Sequence, residues 1–300
     1  MNTSRVTRRR FIRVVAALAA TASLAACSSS SESADTTAAP AEPALKIVSL
    51  SPTATEMIYA IGAGDQVVAV DSLSTYPDEV APKVTKISAY EPSAEAILEY
   101  APDVVLISND MNKITEQLKA AKPDIQVWTG AAASNLDGVY DQITQLGELT
   151  GRADAAAEVV SSMKSRIEAA TSGLKAPAGT SYFYELDNTL YSLTSNTFVG
   201  ALLSQFGMTN IADGVQEGND YPQLSAEVIV DKDPTIIFLA DTKCCGTSAT
   251  EVASRAGWEN LSAVKNGNVV ELDDDIASRW GPRVADLVES FAAAVKALNG

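Results

Sequence analysis

Ser93-Ala-Glu-Ala-Ile-Leu-Glu-Tyr-Ala-Pro-Asp-Val-Val-Leu-Ile107 aligns without a gap to Ser225-Ala-Glu-Val-Ile-Val-Asp-Lys-Asp-Pro-Thr-Ile-Ile-Phe-Leu239. Serine, alanine, glutamate, isoleucine and proline coincide, and the other apolar positions match in kind. Each copy reads as a serine-capped helix, a proline break and a buried strand. Such a unit repeated in one chain implies two related lobes.

Outward from the repeat, short β-branched runs alternate with helical stretches. Strands are expected at Ile47–Leu50, Val67–Val70, Val104–Ile107, Ile125–Trp128, Tyr182–Leu186, Ile236–Leu239 and Val269–Leu272. Helical patterns lie between them, at Ala54–Ile61, Ala94–Tyr100, Lys113–Ala121, Leu136–Leu149 and Val284–Leu298. Alternation of this kind argues for parallel α/β layers. Between the two copies, Gly151 to Lys175 carries Ala155, Val159, Val160, Met163, Ile167 and Ala170 as an apolar stripe at helical spacing. The fold expected is therefore α/β: two Rossmann-like lobes with central sheets, residues 46–150 and 176–300, joined by one long rigid helix over 151–175. A stiff strut leaves the crevice between the lobes as the natural ligand cleft.

Composition removes most alternatives. The 300 residues contain no histidine and three cysteines, with Lys+Arg 22 against Asp+Glu 38 and a formal charge of −16. Without histidine there is no Ser-His-Asp triad, no Cys-His pair and no His-rich zinc site. Three cysteines cannot build four-cysteine zinc or iron–sulfur frameworks. The acidic balance disfavours nucleic acid, whose phosphates demand a basic face.

The first 26 residues read as an address. Thr7-Arg8-Arg9-Arg10-Phe11-Ile12-Arg13 precede an apolar run, Val14 to Ala26, too short to span a bilayer. The paired arginines resemble the twin-arginine export motif, and Arg-rich Sec signals share that look. Leu24-Ala25-Ala26-Cys27 resembles a bacterial lipobox, which makes Cys27 the lipidated N-terminus. Residues 27–45, rich in Ser, Ala, Thr and Pro, read as a flexible tether. The expected location is the extracytoplasmic face of the cell membrane, held there by lipid alone.

Three further segments carry a resemblance: Ile47-Val-Ser-Leu-Ser-Pro-Thr-Ala-Thr-Glu56, Ala101-Pro-Asp-Val-Val105 and Trp258-Glu-Asn-Leu-Ser-Ala-Val-Lys-Asn-Gly-Asn-Val269. Together with the long helix and the lipobox, they resemble the substrate-binding proteins of ABC importers in the single-helix-hinge class that binds vitamin B12, iron siderophores and haem. The resemblance implies a monomer without enzymatic activity. It would carry no resident cofactor or metal, and would pass a bound chelate, a cobalt corrinoid or a ferric complex, to a permease dimer. An Asp/Glu hydrolase on the same scaffold is the competing class, and no carboxylate spacing singles out a pair for it. An adhesion or sensor module is a third.

Ligands of open α/β lobes sit beyond the carboxyl ends of the strands. Ser51, Pro52 and Thr53 follow the first strand there, equally suited to capping a helix. By motif position the resemblance places Tyr90 and Tyr221 as aromatic walls, with Tyr76, either Tyr184 or Tyr191, and Trp280 as further candidates. Asn109 stands where another aromatic would fit. Aromatic faces supply contact area at small entropic cost. Tricatecholate complexes are polyanions that need converging cations, and only Arg279 and Arg283 are available beside the final helix. Asp71, Asp110, Asp187, Asp241 and Asp273-Asp274-Asp275 all follow expected strands and would make the mouth acidic. That charge pattern favours a corrinoid or a ferric hydroxamate over a polyanion. Glu95 and Glu227 occupy equivalent places in the repeat and match the family's permease-docking position. Cys244 and Cys245 are adjacent, able either to close a vicinal disulfide or to stay a reduced pair.

Overall fold

The computed structural model describes residues 45–300. The expected export signal over 1–26, the expected lipidation site Cys27, and the expected tether as far as Ala44 therefore lie outside the described residues. The N-terminal lobe runs β1 (Ile47–Leu50), α1 (Pro52–Ala60), β2 (Val67–Val70), α2 (Ala94–Leu98), β3 (Val104–Ile107), α3 (Ile114–Ala121), β4 (Gln126–Thr129) and α4 (Leu136–Thr150). Next comes α5 (Ala153–Thr171). The C-terminal lobe follows with β5 (Ser181–Glu185), α6 (Phe198–Ser204), β6 (Thr209–Asn210), α7 (Ala226–Lys232), β7 (Ile236–Leu239), α8 (Ala249–Ser254), α9 (Ser262–Lys265), β8 (Val269–Glu271), α10 (Asp274–Ala277) and α11 (Val284–Leu298).

Each lobe holds one four-stranded parallel sheet, in the orders β2-β1-β3-β4 and β6-β5-β7-β8. The two orders are the same topology used twice, as the sequence repeat requires. In register, Ile107 pairs with Leu50 on one side and Thr129 on the other, and Leu239 pairs with Glu185 and Glu271. The order reverses at β1/β3 and again at β5/β7, and these switch points open crevices at the strand C-termini.

Parallel sheets are covered on both faces, so the central strands β3 and β7 are apolar throughout, while the edge strands β4, β6 and β8 carry polar residues. Val48, Leu50, Val105 and Ile107 pack outward under α2 and α3. In the second lobe Phe183, Ile237 and Leu239 do the same, beside Trp258. The inner faces share one continuous core, which joins Met57 and Ile58 of α1 to Met163 and Ile167 of α5 and Phe291 of α11. The strut is thus welded to both lobes.

Its 19 residues span about 28 Å at 1.5 Å per residue. Gly151 ends α4 in the left-handed region, at φ 70°, so that α5 can turn back against it. Arg166 on α5 forms a bidentate pair with Glu289 of α11, at 2.9 and 2.7 Å, and also bonds Asp286.

Candidate functional site

The carboxyl ends of β1 and β3 open onto a chamber of about 420 Å³, with Pro52, Thr53, Tyr90, Ser108, Asn109 and Trp280 in its wall. A second chamber of about 470 Å³ lies against the other lobe, lined by Ala133, Leu186, Asn196, Phe198, Tyr221 and Trp280. Ser278, Arg279 and Trp280 belong to both. One continuous cleft therefore passes either side of the turn between α10 and α11.

Local sequence chemistry builds each wall. Pro52 starts α1, where its missing N–H is no loss, and Ser51 caps the helix by accepting from the Ala54 N–H at 3.2 Å. Ser108 donates to the Ser51 Oγ at 2.8 Å, which ties the end of β3 to the start of α1. The Ser51 hydroxyl is thus buried and consumed, and Pro52 and Thr53 face the chamber in its place. Tyr90 is 66% exposed and Tyr221 is 54% exposed, the two most exposed aromatics of the described residues. Both sit in short turns with tied backbones: the Tyr90 N–H donates to Ser88 Oγ, and the Tyr221 N–H to Asn219 Oδ1. Trp280 is held from behind, its indole Nε1–H donating to Gln142 Oε1 at 3.2 Å. Three aromatic faces, from the two lobes and the turn between them, thus converge on one cleft.

Three expected residues lie elsewhere. Tyr184 is fully buried on the inner face of β5 beside Phe238 and is no cleft wall. Burial raises its hydroxyl pKa far above the ordinary tyrosine range. Tyr76 and Arg283 line a separate groove on the far side of α1, with the Arg283 guanidinium 3.9 Å over the Tyr76 ring. Arg283 is moreover spent on Glu56, donating to both carboxylate oxygens at 2.9 and 2.5 Å.

The expected acidic mouth is also mostly consumed. Asp71 is buried and accepts the Leu73 and Ser74 N–H groups, and Asp110 accepts the Thr115 N–H. Asp187 closes a turn onto Thr189, and Asp241 holds the Thr247 hydroxyl. Asp273 caps α10, and Asp274 accepts the Lys243 and Cys244 N–H groups. Of these seven carboxylates only Asp275 lines a chamber, and it is paired with Arg279. Every arginine of the described residues has an acidic partner: Arg152 with Asp65, Arg166 with Asp286 and Glu289, Arg255 with Glu185 and Glu251, and Arg279 and Arg283 with Glu56. The cleft therefore offers no uncommitted cation.

Cys244 and Cys245 are both exposed free thiols outside the chambers. Desolvation, with Cys245 and Asp274 alongside, pushes the Cys244 thiol up to about 12, away from thiolate chemistry. Glu95 and Glu227 stand exposed in the first turns of α2 and α7, each helix capped by its repeat serine. Neither glutamate makes an ion pair among the described residues.

Sequence reasoning missed Glu56, Ser108, Gln142 and the Asn196–Phe198 wall of the second chamber. Glu56 carried a usable signal: it is the lone charge in the helix Pro52–Ala60 and so demands a partner. The others are ordinary polar or apolar residues whose role depends on tertiary placement.

The sequence profile of the periplasmic binding protein family matches residues 47–276. An uncharacterized ABC transporter substrate-binding lipoprotein, YvrC of Bacillus subtilis, is 33% identical over 257 residues, covering 83% of this chain and 79% of its own. A cobalamin-binding protein of Halobacterium salinarum is 31% identical over 257 residues, covering 83% and 69%. Among solved structures, the periplasmic vitamin B12 binding protein BtuF of Vibrio cholerae superposes with a TM-score of 0.70 at 28% identity, covering 86% of this chain and 98% of that one.

Proposed function

The chain belongs to the periplasmic binding protein family, and on that premise we propose that it is the substrate-binding component of an ABC importer for a corrinoid of the vitamin B12 type. The observation that carries this reading is the cleft itself. Tyr90, Tyr221 and Trp280 present flat apolar faces from both sides, while no cation is free to hold a polyanion. A corrin is a large, near-planar macrocycle fringed with neutral amides, which suits aromatic walls and hydroxyl or amide partners such as Thr53, Asn109 and Asn196. The cobalamin- and B12-binding relatives support the same ligand class.

The two chambers together are smaller than a whole cobalamin, so the lobes stand slightly apart around the ligand or leave its edge in solvent. Limited movement fits a strut welded into both cores. Export, a lipid on Cys27 and delivery to a permease through Glu95 and Glu227 complete the proposal. Among the described residues no helix is long and apolar enough to cross a membrane. The test is calorimetric titration of the purified protein with cyanocobalamin, cobinamide, a ferric hydroxamate and haemin. Saturable submicromolar binding of a corrinoid supports the reading. Binding of the hydroxamate alone keeps the importer role and discards the corrin walls.

A further inference from the structure

Arg279 is the only cationic side chain lining either chamber among the described residues. Its surroundings are unusually complete. Nη1 donates to Glu56 Oε1 at 2.9 Å, and Nη2 donates to Asp275 Oδ1 at 2.6 Å and to the Leu73 carbonyl at 3.2 Å. Glu56 is 3% exposed and lines neither chamber. It lies on α1 of one lobe and receives both arginines from the turn before α11, 223 and 227 residues away. Gly281 passes so close that a Cβ there would lie 3.4 Å from Glu56 Oε2. Asp71 is buried nearby with its Oδ1 held by two N–H groups. Burial pushes its carboxyl above the ordinary range while the Arg279 charge pulls it back, and the acids in direct contact with Arg279 are Glu56 and Asp275.

We infer that Glu56 and Asp275 determine specificity by consuming the charge and the donors of Arg279, so that the cleft accepts a neutral, amide-fringed macrocycle and rejects a polyanionic one of similar size. This rests on the corrinoid reading for the accepted ligand, while the rejection stands on the ion cluster alone. For an anion to recruit Arg279, the guanidinium would have to leave a buried carboxylate, which would then face Arg283 alone. With both acids neutralised, the same guanidinium becomes an unpaired cation in a water-poor crevice, where its hydrogen bonds to an anion are strongest. Glu56 acts through Arg279 and is a positioning residue; Asp275 also lines the wall.

The experiment titrates the full chain with cyanocobalamin and with a tetrasulfonated metalloporphyrin, comparing wild type, D275N, E56Q/D275N and E56Q/D275N/R279Q. The expected result is a gain of about tenfold or more in porphyrin affinity for E56Q/D275N, and a smaller gain for D275N. The gain should weaken with added salt and disappear in the triple variant. D275N carries the test should E56Q/D275N fail to fold, because Asp275 sits at the exposed end of the cluster. Absence of any gain in folded variants, or a gain that survives removal of Arg279, overturns the inference. Failure of wild type to bind cyanocobalamin overturns the corrinoid reading, and the porphyrin comparison still decides this one.

Discussion

Asp233 ends α7 in the left-handed region, at φ 40°, a conformation that Asp and Asn tolerate better than most residues. Its carboxylate reaches across to the start of α9 and accepts the Ser262 N–H and Oγ–H, both at 2.7 Å. Those two bonds hold its pKa below the usual aspartate range. An acid with a lowered folded pKa stabilises above its unfolded pKa and loses that contribution as pH falls through the folded value. D233A should therefore cost about 1 kcal/mol at pH 7, with the deficit shrinking below about pH 4. D233N should keep most of the cap and lose the pH dependence. Urea unfolding at stepped pH reads both, and a pH-independent D233A deficit would contradict the assignment. Trp280 belongs at the same scale. W280A should lower corrinoid affinity about thirtyfold, as loss of a central aromatic anchor does, with W280F losing less; calorimetry checks it. Tyr90, Tyr221 and Trp280 were placed by the family resemblance of the segments around them, and all three line the chambers. Tyr184 does not, since a parallel sheet buries both faces and any aromatic in β5 becomes core. The pairing of Arg283 with Glu56 joins positions 227 residues apart, which no local pattern encodes.

At the level of elements, the strut owes its stiffness to close contacts as much as to length. A Cβ on Gly147 of α4 would stand 2.4 Å from the Ala156 Cβ of α5, so the two helices approach to a distance that only glycine permits. G147A should push them apart and destabilise the protein by about 1–3 kcal/mol. A156G should restore part of that loss in the double variant despite its own helix penalty. An additive double variant, read by urea unfolding, would show that the contact is not what matters. Elements such as β2, β3 and β7 were readable because four consecutive apolar residues rich in Val and Ile, bounded by turn signals, have few other fates. The edge strand β6 was not, being only Thr209-Asn210, set by pairing with β5. The interlobe helix is shorter than its span in sequence, Ala153–Thr171 inside 151–175, because Gly151 and Ser172 leave helical geometry at its ends.

For the whole molecule, the duplicated topology places a matching acid on each lobe. Glu95 and Glu227 follow the same serine cap, in the same helical turn, before the third strand of each sheet. A first-turn glutamate interacts favourably with its helix dipole by a few tenths of a kcal/mol, which alone would explain one copy. What it leaves unexplained is the recurrence, an exposed glutamate at the same place of the repeat in both lobes. A two-fold permease with one basic patch per subunit would meet one glutamate on each, fixing orientation and speeding encounter more than adding affinity. Both residues lie on helices that cover the outer faces of the sheets, away from the chambers. E95A and E227A should each slow uptake of labelled cyanocobalamin in cells carrying the importer, and the double variant should abolish it. The Kd of the purified double variant for cyanocobalamin should match wild type. Replacement of both residues by arginine should be at least as damaging as alanine, because like charges then oppose at each contact. Normal uptake by the double variant would remove these residues from docking, and a weakened Kd would assign them to the ligand site instead.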